Sequence, residues 1–317
     1  MLEYFLLPLG IALLVFGANY LVKGSSALAK ILNIPSLVIG LTVVAFGTSM
    51  PELFVNLWAN GSNAPEIAIG NIIGSNLINI LLVLGITSLI YSIRVKKSTI
   101  WKEIPFSLLA AIVLLVLAND FAFDNTVSYI SRVDGLILLL FFLIFIYYTY
   151  ELSLKRESRV PYDFKMYKPV LIPFMIIVGI FGLFFGGRLV VDNAVMIASS
   201  LGISQFVISV TVISIGTTLP ELTTSIVAAV KKNADLAVGN IVGSNIFNIF
   251  FVLGISAVVS PIMIKDFINF DLIMVIFATA LLFVFALWER KKKLGKWQGA
   301  VLVLLYIVYI IMVIFRG

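Results

Sequence analysis

The sequence predicts an all-α membrane protein of ten transmembrane helices, built as two inverted five-helix repeats with helices 2, 3, 7 and 8 broken at the core. Three observations carry this. The chain of 317 residues is 61% hydrophobic and only 12% charged, with a mean hydropathy of +1.13. A soluble domain could not cover so much apolar surface with so few charges. Apolar runs of about 17–25 residues, the length of a helical span, recur without the alternation of barrel strands. Finally, the chain repeats itself at a constant shift of 169 residues, and repeats govern how everything else is read.

The runs place spans at 5–22, 37–58, 67–90, 104–118, 134–150, 171–190, 206–229, 236–259, 269–288 and 298–315. The first is read as a span, because no small-residue cleavage site follows it. Loops are short except 151–169. The expected units are a first repeat over 1–152, a cytoplasmic linker over 153–169 and a second repeat over 170–317.

Charge sets the orientation. Eighteen of the 22 Lys and Arg residues fall after spans 1, 3, 5, 7 and 9, and only Arg132, Arg188, Lys265 and Arg316 fall on the other side. Basic residues mark cytoplasmic loops. Both termini are therefore expected outside the cytoplasm, in a multi-pass protein of the plasma membrane. The +6 net charge then reads as topology, with no nucleic-acid partner expected.

Residues 38–59, "VIGLTVVAFGTSMPELFVNLWA", match the segment starting at Val207 at 10 of 22 positions. "AIGNIIGSNLINILLVLGI" (68–86) matches 237–255 at 13 of 19 positions. The same shift carries Gly10 to Gly179, Gly17 to Gly186 and Glu66 to Asp235. Each half holds five spans, so the second must enter the membrane from the opposite side. Inverted repeats with interrupted helices are the architecture of secondary transporters, whose ion sites lie near the bilayer midplane.

Only two charges fall deep within spans, Glu52 and Glu221, and the repeat superimposes them. A carboxylate at the bilayer centre costs at least ~2.5 kcal/mol on insertion scales. No Lys or Arg within the spans can neutralise the pair, which points to a cation from solution. With no Cys and no His, the ligands must be oxygens, which suit hard cations. Disulfides, thiol chemistry and His-ligated metals are excluded, and no span pairs a nucleophile with a base, so no enzyme is expected.

Gly47 and Pro51 interrupt span 2, since proline donates no hydrogen bond and clashes with the preceding turn. Carbonyls around Val44 to Phe46 are expected to face the gap. Ser49 restarts the helix, with Glu52 at its third position. Ser49-x-x-Glu52 and Thr218-x-x-Glu221 also fit a capping box, which explains how a break is tolerated but not why one exists. Gly70, Gly74, Gly239 and Gly243 form close-packing G-x-x-x-G pairs. Ser75 and Asn79 share a helical face, as do Ser244 and Asn248, either as interhelical hydrogen bonds or as neutral ligands beside the carboxylates. Asn71, Asn76, Asn240 and Asn245 are assigned to backbone freed by the breaks.

The doubled G-T-[ST]-x-P-E and G-N-x-x-G-S-N-x-x-N segments, in two inverted five-span halves, resemble the sodium/calcium exchangers of the calcium/cation antiporter superfamily, in particular its prokaryotic members. The resemblance covers essentially the whole chain. It implies exchange of several sodium ions, usually three, for one calcium by alternating access; both ions are cargo, and no cofactor is expected. By motif match, Glu52 and Glu221 would be the central calcium ligands, joined by the carbonyls of Thr48 and Thr217. Ser49, Thr218, Ser75 and Ser244 would serve sodium sites with the carbonyls of Ala45 and Ser214, and Asn79 and Asn248 would line the middle. Spans 1 and 6 would slide across the core. Some relatives, including potassium-dependent ones, carry Asp where this chain has Asn248. Proton-coupled members tend to carry an acid where Gly74 and Gly243 stand. The rival readings are a proton-coupled divalent cation exchanger, which a pH gradient alone would drive, and a passive cation channel, which would conduct without a counter-ion gradient.

Overall fold

The computed structural model describes residues 2–61, 65–120, 128–154, 167–200, 214–264, 268–288 and 293–316. Among these, eight helices are long and apolar enough to cross a membrane, and a bent pair makes a ninth span. The elements are α1 (Leu2–Leu32), α2 (Ser36–Thr48), α3 (Met50–Gly61), α4 (Ile67–Ile90), α5 (Lys97–Leu117), α6 (Arg132–Leu154), α7 (Leu171–Ser200), α8 (Ser214–Thr217), α9 (Leu219–Val230), α10 (Ala234–Val259), α11 (Ile268–Trp288) and α12 (Lys296–Arg316). The expected seventh span begins among residues 206–213, outside the described residues; α8 and α9 are its described part.

α4 and α10 form the centre and are buried along most of their length. α5, α6, α11 and α12 surround them and expose Leu, Ile, Val and Phe, as a lipid-facing surface requires. With lipid tails as apolar as leucine, small residues that let backbones approach hold such helices together. Gly239 and Gly243 of α10 do so, lying against Leu37, Gly40 and Leu41 of α2. The region related to Gly40 and Leu41 by the 169-residue shift lies outside the described residues. Gly85 of α4 packs on Gly299 of α12, and Gly254 of α10 on Gly135 of α6. The central helix of each half is thus closed by the last helix of the other.

α1 and α7 cross the molecule side by side and antiparallel. Gly10 meets Gly186 and Val190, Gly17 meets Gly179, Gly182 and Leu183, and Gly24 meets Met175 and Ile176. Both helices outrun the spans expected at 5–22 and 171–190. Gly24, Ser25 and Ser26 read as a span end in the sequence, yet α1 continues as helix because Ser25, Ser26, Ala27 and Ala29 are small enough to bury against the core. Lys23 and Lys30 therefore sit on helix rather than in a loop. At this end Lys231 donates to Asn19 of α1, and Asn233 donates to Ser26 Oγ at 3.0 Å while capping α10. Burial, with Lys23 nearby, pushes the Lys231 amine down to about 8.

The expected breaks in helices 3 and 8 are not interruptions. α4 and α10 run continuously, each widened into π-helical turns, over Ile78–Val83 and Phe247–Leu253. The two stretches begin 169 residues apart. A π-helical stretch redirects side chains while the helix continues, so neither α4 nor α10 is interrupted here.

Two short antiparallel ribbons close the ends: Ile93–Arg94 (β1) pairs with Lys293–Leu294 (β4), and Tyr129–Ile130 (β2) with Ile262–Met263 (β3). β1 precedes α5 and β2 follows it, so the ribbons lie at opposite ends of a helix about 30 Å long.

Candidate functional site

The helix break forms where proline removes a donor. α2 ends at Thr48, Ser49 is non-helical, and α3 starts at Met50 with a bend of 44°. Pro51 has no N–H to return to Gly47, just as Pro220 has none for Gly216. Glu52 and Glu221 both occupy the third position of the new helix, where the helix dipole favours an anion.

The carbonyls at the breaks behave differently in the two halves. Ala45 O keeps the Ser49 N–H at 2.9 Å and also lies 3.3 Å from the Thr48 hydroxyl. Thr218 N–H instead turns to Ile215 O at 3.1 Å, away from Ser214 O. The expectation that Val44–Phe46 carbonyls all lose their partners is corrected at Ala45. The capping box is corrected too. Thr218 makes no capping bond, and Ser49 Oγ donates to Glu221 Oε1 at 3.1 Å, a carboxylate of the other half.

Both glutamates are fully buried. Ser75 Oγ lies 3.4 Å from Glu52 Oε1, and Ser244 Oγ 3.5 Å from Glu221 Oε1. Thr48 Oγ1 donates to Asn240 Oδ1 at 3.0 Å, which leaves its lone pair facing Ser244 Oγ at 3.4 Å. Asn79 Nδ2 donates to Asn245 Oδ1 at 3.0 Å. Thr48, Ser49, Glu52, Ser75, Asn79, Thr218, Glu221, Ser244 and Asn248 are thus buried groups on α2, α3, α4, α9 and α10 and around the two breaks. Thr217 is half-buried at the end of α8, Ala45 is buried, and Ser214 is the first residue of α8.

Oxygen is left over. Among the described residues, Glu52 Oε2, Glu221 Oε2, Asn79 Oδ1 and both amide atoms of Asn248 and Asn76 are buried without a hydrogen-bond partner. Among the described residues no Lys or Arg pairs with either glutamate. A buried carboxylate that lacks a cationic neighbour needs compensation from elsewhere. The groups present are oxygens of the kind calcium and sodium accept.

Further polar side chains border the glutamates. Asn240 and Asn245 do reach backbone, at Glu221 O and Asn76 O, both at 3.4 Å. Asn240 also donates to Ser225 Oγ at 3.0 Å, while Asn56 takes the Glu52 carbonyl at 2.9 Å. The doubled motif signalled the asparagines; nothing local signalled Ser225 or Asn56, which the shift of 169 residues superimposes as different residue types. Glu103, at a span edge, is a third buried carboxylate, held by the Tyr148 hydroxyl away from the site.

Comparison with known proteins agrees. The family model described as sodium/calcium exchanger protein matches residues 2–151 and 171–315. The chain is 35% identical to inner membrane protein YrbG of Escherichia coli, over 97% of this chain and 95% of that protein. It is 28% identical to the sodium/calcium exchanger MaX1 of Methanosarcina acetivorans, over 99% of both. A solved structure of the sodium-calcium exchanger NCX_Mj superimposes with a TM-score of 0.84 at 35% identity, covering 98% of each chain. The chain belongs to the sodium/calcium exchanger family.

Proposed function

We propose that the protein exchanges sodium ions for calcium across the membrane by alternating access. The observation that carries this is the pair of fully buried glutamates, each with an unpartnered oxygen, at equivalent positions of two helix breaks. Two carboxylates carry −2, which one calcium ion neutralises. Calcium accepts about 6–8 oxygen ligands in flexible geometry, whereas magnesium demands a tight octahedron and sheds water reluctantly. The ligands would be Glu52, Glu221 and the carbonyls of Thr48 and Thr217. Ser49, Thr218, Ser75, Ser244 and the carbonyls of Ala45 and Ser214 would complete sodium sites, with Asn79 and Asn248 lining the middle. Sodium would use the same carboxylates and so could not coexist with calcium.

Ten spans in two inverted units, 1–152 and 170–317 around a cytoplasmic linker at 153–169, fit this mechanism. The antiparallel packing of α1 on α7 and the two separate stretches of family match support it. The charge asymmetry supports a plasma-membrane orientation with both termini outside the cytoplasm. The α1–α7 pair would slide across the core, and three sodium ions against one calcium would make transport respond to voltage. The protein acts as a transporter, not as an enzyme.

The test is radiolabelled calcium uptake into sodium-loaded proteoliposomes. An outward sodium gradient should drive uptake that Glu52→Gln abolishes. Uptake no greater than in empty liposomes refutes the exchanger, and uptake driven by a pH gradient alone favours proton coupling.

A further inference from the structure

The ribbon of β1 and β4 carries a charge conflict that nothing among the described residues resolves. Arg94 stands directly opposite Lys293, and like charges in that relation destabilise a strand pair. Ile93 and Leu294 face inward and are buried, so the two cations share the outer face. Among the described residues neither has an acidic partner. The nearby acids are committed, Asp235 to Lys96 at 3.1 Å and Glu103 to Tyr148.

The opposite ribbon is an internal control. The 169-residue shift carries Arg94 to Met263, and Tyr129 faces Met263 as Lys293 faces Arg94. The same element is therefore apolar at one end of the molecule and doubly cationic at the other. Membrane topology asks for basic residues on the cytoplasmic side, but it does not ask for two of them to oppose each other across a strand pair. Exposed Trp101, Trp288 and Trp297 flank the cationic ribbon in sequence, the residue type that settles at headgroup depth. Lys97 and Lys296 border it.

We propose that the β1–β4 ribbon binds the headgroup of an anionic phospholipid of the cytoplasmic leaflet, with one phosphate bridging Arg94 and Lys293. A guanidinium grips two phosphate oxygens while an ammonium supplies a point charge. Basic residues at an anionic surface each strengthen binding about fivefold, so losing both weakens it about 25-fold. The inference rests on the orientation given above, but its test involves no ion gradient and stands apart from the exchange reading.

The test uses the full chain in detergent. Retention of dioleoylphosphatidylglycerol is measured by native mass spectrometry, and thermal stabilisation by the same lipid is compared with that by dioleoylphosphatidylcholine. Arg94→Gln/Lys293→Gln should lose the phosphatidylglycerol adduct and its stabilisation. Lys30→Gln/Lys168→Gln removes two exposed basic residues elsewhere and should keep both. Wild-type lipid retention by the ribbon variant, or equal loss in the control variant, overturns the proposal. If the ribbon variant is itself less stable without lipid, the ratio of its two lipid-induced shifts still decides.

Discussion

Replacing Glu221 by Gln removes one negative charge while preserving shape, and the structure gives the change opposite signs in the two states of the site. In the ion-free protein, Glu221 and Glu52 are fully buried with no cationic partner among the described residues, so removing a charge relieves an uncompensated one. Glu221→Gln should be more stable than wild type in chelator. With calcium bound, the lost carboxylate was half of the compensating charge. Breaking a buried ion pair by removing one partner costs about 3–5 kcal/mol. At 1.4 kcal/mol per tenfold, calcium affinity should fall by roughly 150- to 4,000-fold. The contacts from Ser49 Oγ at 3.1 Å and Ser244 Oγ at 3.5 Å persist on the amide oxygen, so they do not account for the loss. The assay is the unfolding temperature of detergent-solubilised protein across a calcium titration, because a ligand that binds only the folded state raises it by mass action. The variant curve should start higher and stay flat where the wild type rises. A variant that is less stable in chelator, or one that calcium still stabilises at wild-type concentrations, would show that the two carboxylates are not the uncompensated centre of the site.

Ser49→Ala removes a hydrogen bond to a carboxylate, worth about 1.5–3 kcal/mol, and should weaken calcium-dependent stabilisation by about tenfold or more. Gly17→Ala would put a Cβ 2.6 Å from Leu183 N and 2.8 Å from Gly179 O. Those are backbone atoms that cannot rotate aside, so overpacking of about 1–3 kcal/mol should exceed the ~1 kcal/mol gained in helix propensity. Its unfolding temperature should drop while its KM for calcium holds, whereas Gly61→Ala, with no described residue within 4 Å, should be neutral. The Lys231 amine has its folded value pushed down to about 8 from an ordinary 10.5. Between those values the unfolded chain binds more protons, so stability should rise as pH climbs from 8 to 10.5. Lys231→Gln should abolish that rise in a pH series of unfolding temperatures.

The sequence by itself determined the membrane class and the family, and it singled out the two glutamates that the structure buries. Composition and run length leave only helices in lipid, because every backbone group there must be satisfied within its own segment. The residues at the break were equally legible: a proline four residues after a glycine removes a donor wherever it stands, and two carboxylates with no basic residue deep in any span lack a compensating charge of their own. What the sequence could not carry is who meets whom. Ser49 fits a local cap by its spacing, yet its hydroxyl turns to Glu221, 172 residues away. Asn240 and Asn245 were marked by the repeat, but their partners Thr48 and Asn79 lie in the other half. α1 ran past its expected end because a distant surface was ready to bury Ser25, Ser26 and Ala27. The G-x-x-x-G spacing marked Gly239 and Gly243 as a packing face, but only the fold shows that Leu37, Gly40 and Leu41 fill it. Local chemistry is written residue by residue and survives in one dimension. Hydrogen-bond partners, helix ends and the opposition of Arg94 to Lys293 depend on which surfaces the chain brings together, and only the folded molecule decides that.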